Sequence, residues 1–192
     1  MDDIVKAALL KWPNVPHCHD WLALDARGQW FMRDEGTQAA GPFPRVKGSR
    51  ILNDKLLEFI HRNYTPDERG EWYFQNGPQR VYVALEAAPF VWRVEEAGGG
   101  WQVQSHTGRP AHLKSPWLDE SGRLFLDTDL GFGLVHTMDT GVAAGAIEQG
   151  LWQPQTVLFA DMPARFGYTL RPQPPVRDSD SDSAQGGPGE GR

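Results

Sequence analysis

Four groups of side chains in this chain have types and spacings that could do chemistry. Arg45, Lys47 and Arg50 fall within six residues, with Gly48 and Ser49 between them, just ahead of an amphipathic stretch. Cations and a serine beside the unpaired N–H groups of a helix start suit a phosphate or a carboxylate. Alternation along an extended segment puts Arg45, Lys47 and Ser49 on one side, and a turn at Gly48 brings Arg50 to them. The Gly-x-x-x-x-Gly-Lys-Ser/Thr order of a P-loop is absent. A solvated basic loop offsetting an acidic chain is the plainer alternative. The second group is Ser105-His106-Thr107-Gly108-Arg109. His106, Thr107 and Arg109 put a titratable ring, a hydroxyl and a guanidinium on one turn, where they would close the same pocket from the far side. An ordinary connecting turn is the alternative there.

The other two groups point to weaker chemistry. His17-Cys18-His19-Asp20 has two imidazoles that would share a face of a strand, but two ligands do not complete a tetrahedral metal site. Asp127, Asp129, His136 and Asp139 pair carboxylates with an imidazole, as a general base requires. Exposed turn acids have the same look. No Gly-x-Ser-x-Gly, His-Glu-x-x-His or Cys/His signature accompanies them, so no catalytic residue and no metal ligand is assigned and no cofactor is implied.

The elements that position these groups are short. Asp2 and Asp3 can cap a helix over Ile4–Trp12, which Pro13 and Pro16 stop. Trp21–Leu24 and Gln29–Arg33 read as a hairpin around Gly28, and residues 35–50 as a loop. Leu56, Leu57, Ile60 and Tyr64 stripe a helix over Leu52–Tyr64 with Asn53 or Asp54 as its cap. Aromatic and β-branched runs at 71–75, 79–86, 90–95 and 101–105 then form a meander, punctuated by Asn76-Gly77, Ala88-Pro89 and Gly98–Gly100. After a break at 106–115, strands at 124–128 and 132–136 make another hairpin. A short helix over 140–150 and a strand at 156–159 follow. From Arg171 the chain turns rich in Pro, Ser, Asp and Gly and is expected to be disordered.

One pattern recurs. Asp25–Met32, Asp67–Phe74 and Asp119–Leu126 each begin with Asp, place Gly three residues on, then one polar residue and three large apolar ones. The Asp side chain caps the turn, Gly takes φ > 0, and the apolar run enters a sheet. Asp25 and Asp67 are 42 residues apart and Asp67 and Asp119 are 52 apart, too irregular for a solenoid. Convergent turn chemistry and a duplicated domain both explain this.

The order of landmarks is itself distinctive: Asp25–Phe31, the basic loop Arg45–Arg50, the helix Leu52–Tyr64, Asp67–Gly70, Val81–Leu85 and Ala88–Val91. In this order the chain resembles a family of uncharacterised proteobacterial proteins with a duplicated α/β core. The match spans about residues 19–150 and is weaker in the last third. The resemblance implies a pleckstrin-homology-like second domain, a nucleotide-like ligand between the domains and a part in signal transduction. It carries over no catalytic residue.

Composition bounds what remains. With 40% hydrophobic residues the 192-residue chain can fill a core. A net charge of −6 gives no general reason to bind nucleic acid or an anionic membrane. A lone Cys18 excludes an internal disulfide, and the N-terminus lacks the basic and apolar regions of a signal peptide, so a cytoplasmic location is expected. The expected fold is α+β, built mainly of antiparallel hairpins with one packed helix. Its domains are 1–105 and 106–171, with a tail over 172–192. The expected function is non-enzymatic: a regulatory or sensor protein holding a small anion, such as a nucleotide, on Arg45, Lys47, Ser49, Arg50, His106, Thr107 and Arg109. A protein-interaction module using a sheet edge or aromatic patch is the alternative. A metal-assisted hydrolase is the third reading.

Overall fold

The computed structural model describes residues 2–174. Its local logic begins in the repeated turns. In each, one carboxylate oxygen of the leading Asp accepts two backbone N–H groups, two and four residues on. Asp25 Oδ1 takes Arg27 and Gln29, both at 2.9 Å. Asp67 Oδ1 takes Arg69 and Glu71, both at 2.9 Å. Asp119 Oδ1 takes Ser121 at 3.0 Å and Arg123 at 2.8 Å. The glycine of each turn is left-handed, with φ of 74°, 75° and 78°. Ser105–Arg109 is a fourth copy with Ser in place of Asp. Ser105 Oγ accepts Arg109 N–H at 3.1 Å, and Gly108 has φ 79°.

These turns order two sheets. After α1 (Asp3–Lys11), β1 (Cys18–Leu24) and β2 (Trp30–Met32) form the first hairpin. The expected loop over 35–50 contains a helix, α2 (Glu35–Ala40), capped by Asp34, and an edge strand, β3 (Ser49–Arg50). With no buried residue, α2 has no apolar stripe to betray it. Next come α3 (Asp54–Arg62), capped by Asn53, then β4 (Tyr64–Pro66), β5 (Trp72–Asn76) and β6 (Gln79–Leu85). The first sheet runs β3-β2-β1-β6-β5-β4, antiparallel except for β1 and β6 at its centre.

The second sheet repeats that arrangement. Its strands are β7 (Phe90–Ala97), β8 (Gly100–Ser105), β9 (Pro110–Ala111), β10 (Leu113–Leu118), β11 (Leu124–Thr128), β12 (Phe132–Val135) and β13 (Gln155–Thr156). In spatial order they run β13-β10-β11-β12-β7-β8-β9, with β7 parallel to β12 at the centre. Each sheet thus contains two three-stranded meanders whose first and last strands pair in parallel, and in the second sheet β13 adds a seventh strand, parallel to β10, at the edge. The Asp67 and Asp119 turns occupy the same place in the two copies. The α+β expectation of mostly antiparallel hairpins stands. The strands at 90–105, read as part of the first domain, belong instead to the second sheet, because β7 pairs with β12 and β8 rather than with β6. Strand periodicity reports faces, not partners.

Both sheets share one core. Leu22, Trp30, Trp72 and Val83 from the first belong to the same apolar cluster as Phe90, Trp92, Leu126 and Leu134 from the second. α4 (Thr140–Glu148) covers part of it with Ala143 and Ala146. After α5 (Met162–Phe166) the chain returns to the first sheet. Thr169 N–H bonds Gly70 O at 3.2 Å, and Leu85 N–H bonds Leu170 O at 2.8 Å. Tyr168 Oη donates to Ala87 O at 3.1 Å. Pro172, placed by composition in the tail, is buried. The rest of that expected tail, residues 175–192, lies outside the described residues.

Candidate functional site

The outer face of the first sheet carries a small second core of Ala23, Phe31, Phe43 and Ala84. Phe43 pins residues 41–46 over that face. Arg33, directly after β2, runs beneath this loop. Its Nη2 donates to Gly41 O at 2.6 Å and its Nε to Val46 O at 3.3 Å. The residue is 2% exposed. A buried cation is normally matched by a carboxylate, since its desolvation is costly. Among the described residues the guanidinium of Arg33 has only these two carbonyl partners.

Arg33 lines a cavity of about 290 Å³ with Asp20, Gln38, Phe43, Arg171 and Gln173. Gln38 is held by its Nε2 bond to Arg33 O at 2.8 Å. Arg171 and Gln173 arrive on the returning C-terminal segment, so both halves of the chain build the cavity. Asp20 has φ 64°, a left-handed backbone that costs a residue with a Cβ about 1–2 kcal/mol. It lies where the β1–β6 register shifts, between Cys18 and Leu22.

The residues expected to bind the anion are placed differently from one another. Lys47 Nζ bonds Asp25 Oδ2 at 2.9 Å and Glu86 Oε2 at 3.2 Å. Burial works against its charge, but these two carboxylates outweigh it and hold its pKa above the ordinary lysine value. Lys47 is therefore neutralised within the fold and ties the basic loop to the first turn. Arg45 is exposed, its guanidinium lying beside Gly41 on the cavity rim. Ser49 and Arg50 form the exposed edge strand β3, opposite Met32 and Phe31. Thr107 Oγ1 bonds Ser105 Oγ at 2.8 Å, and Arg109 is exposed.

His106 is half-buried as a residue, but its ring is packed inward and not presented to a crevice. It sits among Trp30, Tyr64, Phe90 and His61, ring centroids 5.8–6.1 Å away. Its Nδ1 accepts Val91 N–H at 3.2 Å, and its buried Nε2 has no partner. Burial, reinforced by His61, pushes its pKa down to about 3. The ring is neutral, with the proton on Nε2. Gly28 is what lets it fit, because a Cβ there would stand 2.8 Å from His106 Cβ. The two halves meet here in an aromatic seam. The cavity that gathers unneutralised charge lies instead on the outer face, at Arg33, which the sequence reading missed. Only Phe43 between two prolines hinted that the loop folds back.

The remaining groups are engaged elsewhere. His19 stacks on Tyr82 at 4.6 Å and His17 meets the same ring edge-on at 6.0 Å. No three His, Cys, Asp or Glu side chains gather as a metal group among the described residues. Asp129 holds His112, Asp139 holds Arg93, and His136 caps Met138 N–H. A wider groove of about 510 Å³ on the second sheet includes that Arg93, but Asp139 already neutralises it.

Fold and site together define a class: a two-sheet α+β protein, internally repeated, with a small charged cavity and no assembled catalytic constellation among its described residues. The family model DUF2944, "Protein of unknown function (DUF2946)", matches residues 1–173, and the chain belongs to that family. Crystal structures of two DUF1285 family proteins are similar to it. The one from Silicibacter pomeroyi DSS-3 is 17% identical, covers 74% of this chain and 83% of its own, and has a TM-score of 0.49. The one from Shewanella baltica OS155 is 16% identical, covers 65% of this chain and 91% of its own, and has a TM-score of 0.46. No curated protein matches the chain. No helix among the described residues is long and apolar enough to cross a membrane.

Proposed function

We propose that this protein binds a small anionic ligand, as a sensor or regulatory protein would, and that the anion sits on Arg33 and Arg171. One observation carries this: an arginine 2% exposed, on a cavity wall, whose guanidinium has no carboxylate partner among the described residues. A ligand carboxylate or phosphate would supply the missing counter-charge in the two-pronged geometry that guanidinium favours. Arg171 is the natural second contact. It is exposed, and it is carried by a segment fixed through the Leu85–Leu170 bond. The basic loop keeps a part in this picture. Lys47 anchors it, and Arg45 stands at the rim.

The test is calorimetry and thermal shift on the full chain with acetate, succinate, inorganic phosphate and adenosine monophosphate. A ligand that binds the folded state raises the melting temperature. Arg171→Gln removes one charge-assisted contact without touching the core. It should weaken binding about ten- to a hundredfold, the equivalent of about 1.5–3 kcal/mol. Unchanged affinity would take Arg171 out of the site. No binding by any of these anions would remove the proposal.

A protein-interaction role finds separate support in an apolar groove of about 280 Å³ beside Trp21, Met32, Ile51 and Leu56. Trp21 and Met32 remain 40% and 49% exposed there. Sedimentation of wild type against Trp21→Glu would show a self-associating surface as a change in mass.

A further inference from the structure

The cavity holds a second uncompensated charge, and it has the opposite sign. Asp20 lines it together with Arg33, yet no ion pair joins Asp20 to Arg33 or to any other described cation. How Asp20 gets there is informative. Two-residue alternation along β1 would put Asp20 on the same face as Leu22 and Leu24, which are in the core. The left-handed backbone at Asp20 and the register shift before Leu22 break the alternation and turn its carboxylate to the outer face, beside Ala84. Strained backbone of this kind persists where the surroundings hold it, and it concentrates at binding sites.

We propose that the ligand is a small zwitterion, a free α-amino acid or close analogue, with its carboxylate on Arg33 and Arg171 and its ammonium on Asp20. This rests on the anion reading above and deepens it. A multiply charged anion gains from the arginines but meets repulsion from Asp20. A molecule carrying both charges satisfies both walls at once and brings no net charge into the cavity. The size agrees. About 290 Å³ lies at the lower end of ligand pockets and suits a metabolite rather than a nucleotide. Gln38 and Gln173 add amide donors and acceptors near the charged ends. Phe43 and Pro42 offer an apolar wall to a short side chain.

The experiment is calorimetry on the full chain with the twenty protein amino acids, against propionate, propylamine and inorganic phosphate as single-charge or purely anionic probes. At least one amino acid should bind tenfold or more tighter than propionate. Asp20→Asn should erase that advantage while leaving propionate unchanged or tighter. Asp20→Gly removes the same charge and suits the left-handed backbone, so it serves as the second variant if Asp20→Asn is poorly folded. Arg171→Gln should weaken both ligands. If propionate and phosphate bind as well as every amino acid, and loss of Asp20 changes nothing or tightens them all, the zwitterion is overturned while the anion site stands. If amino acids and anions alike fail to bind, both proposals fall.

Discussion

At the scale of single residues, the basic side chains divide between Lys47, neutralised by Asp25 and Glu86, and Arg33, buried without a carboxylate partner among the described residues. Lys47 and Arg33 have changed places relative to the sequence reading. Lys47 stood out because it is flanked by Arg45 and Arg50. Its two partners, Asp25 and Glu86, are 22 and 39 residues away, so local spacing could not show that its charge is spent. Arg33 looked like the polar end of a strand, and only the folded loop reveals it as buried. His106 was legible as a special residue but not as one whose ring packs among aromatic neighbours. Its depressed pKa makes a pH prediction. An unfolded histidine titrates near 6.5 and the folded one near 3, so between these values the native state binds fewer protons. Stability contributed by the neutral ring is fully present above about pH 6.5. It is lost as the pH falls toward 3, at no more than about 1.4 kcal/mol per pH unit for one proton. Burial lowers the pKa of His61 as well, partly offset by Glu58, so it adds to the same trend. His106→Asn keeps an acceptor for Val91 N–H and removes the titration. Urea melts at pH 4, 5 and 6 should show a shallower pH dependence for the variant. Identical slopes would mean that His106 is not the group excluding a proton.

At the scale of elements, the turns were the most readable part of the chain. The Asp and Gly of each repeat do in the structure what their chemistry promised, because an Asx-capped turn is decided within five residues. What each turn packs against was not readable. A Cβ at Gly122 would meet nothing within 4 Å, one at Gly28 would strike His106 at 2.8 Å, and one at Gly70 would strike Gly167 O at 2.2 Å. All three glycines are left-handed, so alanine pays a conformational cost of about 1–2 kcal/mol at each. Crowding should add roughly 1–3 kcal/mol more at Gly28 and Gly70 only. Chemical denaturation of the three alanine variants checks this. Equal losses at all three would show that the turns do not dock as described. The fourth turn, at Ser105, escaped notice because Ser replaces Asp, and α2 escaped because it buries nothing.

At the scale of the whole molecule, the duplication left open by the turn pattern has a topological counterpart. The same six-strand order occurs twice, with a parallel pair inside each, and β13 is the one strand of the second sheet without a counterpart. The α+β class was legible from strand patterning and turn residues. The assignment of 90–105 to the second sheet was not, since it depends on a pairing with β12 about forty residues later. Nor was the return of residues 167–173 to the first sheet, because so short a run, Gly-Tyr-Thr-Leu-Arg-Pro-Gln, has no periodicity to show where it docks. That return ties the halves together and supplies Arg171. Truncation after residue 166 removes the Tyr168, Thr169 and Leu170 bonds and the Tyr168 packing against Phe132. It should lower the melting temperature by about 10 °C or more, since several kcal/mol of contacts go with it. Truncation after residue 174 should leave the melting temperature within about two degrees. Comparable melting of both truncations would show that the returning segment does not clamp the fold. The most direct test of the anion site watches Arg33 itself. In an arginine-side-chain 1H–15N spectrum of the full chain, assigned by Arg33→Lys and Arg171→Gln, titration with an amino acid or a small carboxylate should shift and sharpen the Arg33 Nε–H signal and move that of Arg171. The signals of Arg27 and Arg62, outside the cavity, should stay in place. An Arg33 signal unmoved at saturating ligand, or shifts confined to Arg109 and Arg50, would contradict the cavity as the binding site.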